Sequence, residues 1–203
     1  MIAIIHKKIV TEDEMTKKIN LPNKLTLFRI LLTPLLVFFM MWDSVYSPVF
    51  ALITFAIASI TDFLDGKIAR KYGLVTDFGK FLDPIADKIV VLSILICLIP
   101  GGFCSPAAVI VVLFREFIIS SLRLIAATNS VVLAAGISGK IKTASQMISI
   151  VIVLALLSIS AFTDFDLPVK LISNTLIWIT AAIALYSGVE YIVKNRKYID
   201  PFE

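Results

Sequence analysis

In the stretch DFLDGKIARKYGLVTDFGKFLDPIADK, residues 62–88, acidic side chains stand at Asp62, Asp65, Asp83 and Asp87, separated by three, eighteen and four residues. Spacings of three and four place each pair on one face of a helix. Four carboxylates brought together repel one another unless cations neutralise them, and all-oxygen ligands suit hard divalent ions such as magnesium, manganese or calcium. A structural role is the alternative: Asp83 before Pro84 makes a good helix start, with Asp as N-cap and Pro in the first turn, and Asp62 could mark a membrane interface. Capping accounts for one acid and leaves the other three unexplained. Asp77, outside the two pairs, reads as a solvated loop residue.

The neighbouring residues narrow the chemistry. Gly66 follows Asp65, Ala69 leaves the same helix face bare, Arg70 comes next, and Gly79 precedes Asp83 by four. A glycine within a helix costs about 1 kcal/mol relative to alanine, so its presence suits close approach of a ligand to the backbone. An arginine makes paired hydrogen bonds to phosphate oxygens. Such a surface suits a nucleotide diphosphate lying flat against helix backbone, held by cations and a guanidinium.

The elements that carry these residues follow from composition. The chain of 203 residues is 59% hydrophobic and 17% charged, with a mean hydropathy of +0.95. Ordinary soluble domains are about 45–50% apolar, so the chain is expected to be an integral membrane protein. Uncharged runs cover 30–42, 44–61, 89–114, 124–139, 143–163 and 171–189. A bilayer-spanning helix needs about 20 mostly apolar residues, and six spans are expected near 25–42, 48–71, 83–100, 106–127, 140–162 and 170–193. The fold class is therefore all-α and polytopic. Residues 1–24 form an amphipathic arm, 25–194 the membrane domain and 195–203 a tail. The hairpin between the second and third spans brings the two acid pairs together at the membrane surface.

Lysine and arginine are absent from the connections 43–48, 101–105 and 163–168, so these face away from the cytoplasm and both termini face it. The apolar run that opens the chain is too brief for a signal-peptide core. His6 has no partner pattern, and Cys97 and Cys104 imply neither a metal site nor a secure disulfide.

The full pattern, Asp-x2-Asp-Gly-x2-Ala-Arg-x8-Gly-x3-Asp-x3-Asp, is filled by Asp62, Asp65, Gly66, Ala69, Arg70, Gly79, Asp83 and Asp87. It resembles the signature of the CDP-alcohol phosphatidyltransferases, an integral membrane family of six helices. The resemblance implies that a hydroxyl of an acceptor alcohol attacks the β-phosphorus of CDP-diacylglycerol and that CMP leaves. It implies that Asp62, Asp65, Asp83 and Asp87 hold two metal ions, magnesium or alternatively manganese, and that Asp87 is also the general base, kept deprotonated by the nearby cations. Gly66, Ala69, Arg70, Gly79 and, by position, Thr76 match the cytidine-diphosphate contacts. Asn23, Thr26 and Arg29 match the amino-terminal motif that lines the nucleotide or lipid site.

The resemblance extends from about residue 20 through NLPNKLTLFR, REFIISSLR and SGKIKT, and implies glycerol 3-phosphate as the acceptor. Arg115, Arg123, Lys140 and Lys142 are the cations expected to hold its phosphate. Eight residues apart on one helix, Arg115 and Arg123 project about 80° from each other and can border one pocket. Glu116 is expected to pair with a neighbouring arginine. Lys140 and Lys142 could instead be interfacial anchors. Because relatives commonly start near Met15, residues 1–14 are read as an optional extension.

Other readings stay open: a sister enzyme using an inositol phosphate or phosphatidylglycerol as acceptor, or a divalent-cation transporter. The transporter explains the acids and not Gly66, Ala69 and Arg70. The expected setting is the bacterial plasma membrane, with membrane lipids as surroundings, a homodimer as the assembly and no nucleic-acid partner.

Overall fold

Six helices account for nearly all of the computed structural model, which describes residues 23–72, 77–128, 133, 136–163 and 168–196. They are α1 (Asn23–Met41), α2 (Ser47–Tyr72), α3 (Asp77–Cys97), α4 (Pro106–Thr128), α5 (Ile137–Phe162) and α6 (Val169–Lys194), with no strand among the described residues. The amino-terminal arm, its His6 and the carboxy-terminal tail beyond 196 lie outside the described residues.

Five of the six spans coincide with the expected ones to within three residues, whereas α3 begins at Asp77, six residues before the expected start at 83. Pro84 does not open this helix but lies inside it. A proline there lacks the N–H that would bond to the Lys80 carbonyl. Asp83 is thus an interior residue and not the N-cap, and Asp77 opens a helix and is not a loop residue. Capping therefore explains none of the four acids.

The turns are built from local bonds. After α3 the chain closes with Phe103 N donating to the Leu98 carbonyl at 3.1 Å and Gly102 N to that of Ile99 at 2.9 Å. This paired closure needs a left-handed residue, which Gly102 supplies at φ 73°. Between α1 and α2, Ser47 Oγ donates to the Phe39 carbonyl at 2.5 Å, and Ser47 N to that of Ser44. Cys104, buried in the α3–α4 turn, is a free thiol whose burial pushes its pKa up to about 11, which leaves it protonated and unreactive.

The bundle has an apolar exterior around an apolar core in which some charged side chains are buried. On α1 the buried positions are Thr26, Arg29, Thr33 and Leu36, at helical spacing, while Leu27, Phe28, Leu31, Leu35 and Phe38 face outward. Small residues let the other helices approach, with Ala51 and Ala58 on α2, Ala108 on α4, and Ala181 and Ala184 on α6 all buried. On α4, Phe114 is 65% exposed and its neighbour Arg115 only 8%. Large apolar side chains outside and charged ones inside describe a bundle whose solvent is hydrocarbon. Helices α1, α2, α5 and α6 are long and apolar enough to cross a membrane by length and composition. Between them α3 and α4 carry Asp83, Asp87, Lys88, Arg115, Glu116 and Arg123. The chain is an all-α, polytopic membrane protein. Helix α6 packs extensively against α5 and α4, α5 also packs on α2, and α3 lies against α4 and α2.

Candidate active site

The acid pairs converge, and Arg29 of α1 is the residue on which they do so. Its Nη1 lies 2.7 Å from Asp62 Oδ1 and 2.5 Å from Asp87 Oδ1, and its Nη2 lies 3.0 Å from Asp65 Oδ2. Three residues earlier, one turn along the same buried face, Thr26 Oγ1 stands 3.0 Å from Asp65 Oδ2 and 2.8 Å from Asp83 Oδ1. A hydroxyl carries one proton, so Thr26 can donate to only one of these carboxylates at a time. All four aspartates are therefore tied to α1 through two side chains, a guanidinium and a hydroxyl.

Burial explains why the guanidinium is there. Arg29 is 2% exposed, and its Nε finds no hydrogen-bond partner among the described residues. A charge at such depth persists only beside opposite charges. Among the described residues no three acidic, cysteine or histidine side chains stand close enough together to share an ion by themselves; the guanidinium lies between them. Four carboxylates against one guanidinium leave three formal negative charges within the cluster, on a donor set made wholly of hard oxygens. That donor set fits divalent cations such as magnesium. Asp62 and Asp87 keep side-chain exposures of 42% and 52%, so their remaining oxygens are accessible.

A second charged group is built from α4, α5 and α6. Glu116 Oε1 accepts from Arg115 Nη1 at 3.0 Å and also from Lys142 Nζ, across 26 residues of sequence. Arg115 Nη2 donates to Ser187 Oγ at 2.9 Å, while its Nε is buried without a partner. Gly188 makes room for this side chain. A β-carbon on Gly188 would fall 3.0 Å from Arg115 Cγ, and one on Gly139 would lie 3.9 Å from its Nη2. Arg123 Nε donates to Tyr191 Oη at 3.2 Å, and its guanidinium lies over the Tyr191 ring, 5.2 Å from the centroid. Two cations against one carboxylate leave the Arg115–Glu116–Lys142 group positive, before Arg123 and Lys140 are added.

The two groups open onto one cavity of about 870 Å³. Its charged lining is Asp83, Asp87 and Lys88 from α3, Arg115, Glu116 and Arg123 from α4, and Lys140 and Lys142 from α5. A smaller apolar crevice of about 60 Å³ adjoins the acids, with Phe55, Ala58, Val90 and Met147 on its walls beside Asp62 and Asp87.

Of the residues expected from sequence, the structure thus gathers Asp62, Asp65, Asp83, Asp87 and Thr26 in one group and Arg115, Arg123, Lys140 and Lys142 about the cavity. Gly66 sits half-buried on α2 and Gly79 buried on α3, while Asn23 opens α1. The side chains of Ala69 and Arg70, and Thr76 altogether, lie outside the described residues. Glu116 pairs with Arg115 as expected and, in addition, with Lys142. Arg29 was expected to line the nucleotide or lipid site, and its place among the acids is not legible in the motif. Ser187, Gly188 and Tyr191 were not anticipated. The one trace of them in the sequence is a Ser-Gly pair interrupting an apolar run just before Glu190.

Comparison with known proteins gives the family. The family model for CDP-alcohol phosphatidyltransferase matches residues 19–186. A protein of Bacillus subtilis named CDP-diacylglycerol–glycerol-3-phosphate 3-phosphatidyltransferase is 41% identical over 192 residues, covering 87% of this chain and 95% of that protein. Proteins of the same name from Rickettsia bellii and Yersinia pestis are each 36% identical, over 88% and 92% of this chain and 97% and 99% of their own lengths. The match spans every helix that carries a charged residue of the cavity, and the chain belongs to the CDP-alcohol phosphatidyltransferase family.

Proposed function

We propose that this chain transfers the phosphatidyl group of CDP-diacylglycerol to sn-glycerol 3-phosphate, giving phosphatidylglycerophosphate and CMP. The observation that carries the reading is the shared cavity, lined both by Asp83 and Asp87 and by Arg115, Arg123, Lys140 and Lys142. A phosphorylated acceptor held by the cations would place its hydroxyl toward the acids. The names of the relatives support the same substrates.

In this reading Asp87 takes the proton of the attacking hydroxyl, a bond forms from that oxygen to the β-phosphorus, and the bond from that phosphorus to the bridging pyrophosphate oxygen breaks to release CMP. Asp62, Asp65, Asp83 and Asp87 would hold two divalent ions, magnesium with manganese as a substitute, whose charge neutralises the pyrophosphate and the leaving group. Thr26 orients Asp65 and Asp83, and Arg29 orients Asp62, Asp65 and Asp87. Asn23, Gly66, Ala69, Arg70, Thr76 and Gly79 form the cytidine-diphosphate side by their positions in the family motif. Glu116 pairs with both Arg115 and Lys142 and so keeps the two cations beside one another at the cavity where the acceptor phosphate would enter.

The active site faces the cytoplasm of a bacterial plasma membrane through six spans, and the assembly is a homodimer. A cation path is disfavoured, because the cavity that Asp83 and Asp87 line also holds Lys88, Arg115, Arg123, Lys140 and Lys142, which repel a cation.

The test is CMP release from CDP-diacylglycerol by the purified chain in detergent, with magnesium and a panel of acceptor alcohols. CMP is expected with glycerol 3-phosphate and not with an inositol phosphate or phosphatidylglycerol. Turnover with either of the latter at a comparable rate would transfer the assignment to a sister enzyme.

A further inference from the structure

The phosphate and the reacting hydroxyl of the acceptor do not exhaust its chemistry. Glycerol 3-phosphate carries a second hydroxyl, on its middle carbon, and the groups named so far leave that oxygen without a partner. One side chain of the cavity is equally without one. Gln146 of α5 is 4% exposed, lines the cavity, and makes no hydrogen bond with any described residue. Its neighbours on the same wall are committed: Lys142 to Glu116, and Thr143 Oγ1 to the Gly139 carbonyl at 3.1 Å. Its amide atoms are not among the buried polar atoms sealed off without a partner, so they reach the cavity and offer two donors and an acceptor to whatever enters.

Position suits a hydroxyl. Gln146 follows Lys142 by four residues and so lies on the same face of α5, one turn further along, with a rise of about 6 Å between their backbones. That separation is on the scale of a three-carbon phosphate ester, with the phosphate at Lys142 and the carbon chain running past Gln146 toward Asp87, which lines the same cavity. A neutral amide discriminates hydroxyls where a cation would instead compete for the phosphate.

We infer that Gln146 is a specificity-determining residue that hydrogen-bonds the middle hydroxyl of a three-carbon phosphate acceptor. The inference rests on the phosphatidyl-transfer reading above. Sites built to bond a hydroxyl reject analogues that lack it, because the buried polar group is then left unpaired.

The experiment compares glycerol 3-phosphate with 3-hydroxypropyl phosphate, which lacks only the middle hydroxyl, by CMP release from the full-length chain in detergent. Wild type is expected to prefer glycerol 3-phosphate in kcat/KM by about ten- to a hundredfold. Gln146→Met, of similar shape without the amide, should lower kcat/KM for glycerol 3-phosphate and bring the two acceptors to within about threefold, with the constant for CDP-diacylglycerol unchanged. Gln146→Ala, which removes bulk and cannot clash, is the second variant and should narrow the ratio likewise. The inference is overturned if both variants keep the wild-type ratio, if the two acceptors fall in parallel, or if the CDP-diacylglycerol constant alone moves. Absence of CMP release by wild type with glycerol 3-phosphate would instead overturn the reading of the reaction.

Discussion

Arg29 Nη1 and Asp87 Oδ1 meet at 2.5 Å across 58 residues of sequence, from α1 to α3. The same nitrogen reaches Asp62 on α2, so one guanidinium is the counter-charge shared by acids on two other helices. In effect α1 carries a fixed cation into the place where the four aspartates would otherwise repel one another.

Removing that cation should destabilise the chain most when divalent ions are absent. Breaking a buried ion pair costs about 3–5 kcal/mol, and the half-exposure of Asp62 and Asp87 puts Arg29→Ala toward the lower end. Thermal unfolding in detergent, with chelator and with magnesium, measures this: the variant's midpoint should fall in chelator and recover in part with magnesium. An equal deficit in both conditions would show that Arg29 matters for packing and not for charge.

Asp87→Asn should abolish transfer while leaving the protein folded. Asparagine keeps the shape and removes both the proton acceptor and a charged ligand, and a positioned base alone contributes about 10²–10⁴-fold. CMP release and thermal unfolding of the same preparation decide it. Turnover above about a tenth of wild type would remove Asp87 from its role as base.

Arg115→Ala should mainly weaken acceptor binding. Charge-assisted hydrogen bonds are worth about 1.5–3 kcal/mol, a rise of roughly ten- to a hundredfold in the apparent constant for glycerol 3-phosphate. Lysine at the same position should rescue in part, since it keeps charge without the paired geometry that reaches Glu116 and Ser187 together. Titration of each substrate separates the outcomes; movement of the CDP-diacylglycerol constant alone would assign Arg115 to the donor side.

Gly188→Ala tests the same side chain from α6. The new methyl group would meet Arg115 Cγ at 3.0 Å and push the guanidinium from Ser187. Helix propensity favours alanine by about 1 kcal/mol, whereas leaving a buried donor of Arg115 unpaired costs about 1–3 kcal/mol, so stability should fall by up to about 2 kcal/mol while the acceptor constant rises about fivefold, the equivalent of one hydrogen bond. Gly136→Ala, at the N-cap of α5 with Ser138 Oγ at 3.7 Å as the nearest neighbour of its β-carbon, is the control and should leave the acceptor constant unchanged, at a capping cost of about 1 kcal/mol or less.

The span pattern and the acid signature were legible in the chain itself, because both rest on local rules. Apolar runs of about 20 residues in hydrocarbon must satisfy their own backbone and so become helices. Spacings of three and four put Asp62 with Asp65 and Asp83 with Asp87 whatever lies around them. The start of α3 was not legible, since the Asp83–Pro84 pair is a good local N-cap and only tertiary packing keeps Pro84 inside a longer helix. Nor could any local rule place Arg29 among the acids, or join Glu116 to Lys142 and Arg115 to Ser187 across 26 and 72 residues. Those pairings depend on which helix faces meet, and the faces meet because a buried charge in an apolar surround must find its opposite. The sequence alone determined which residues are charged and which helix face each occupies; the tertiary structure decided which of them share a counter-ion and a cavity, and it brings acids of α2 and α3 together on Arg29 and the cations of α4 and α5 to the cavity that Asp83 and Asp87 also line.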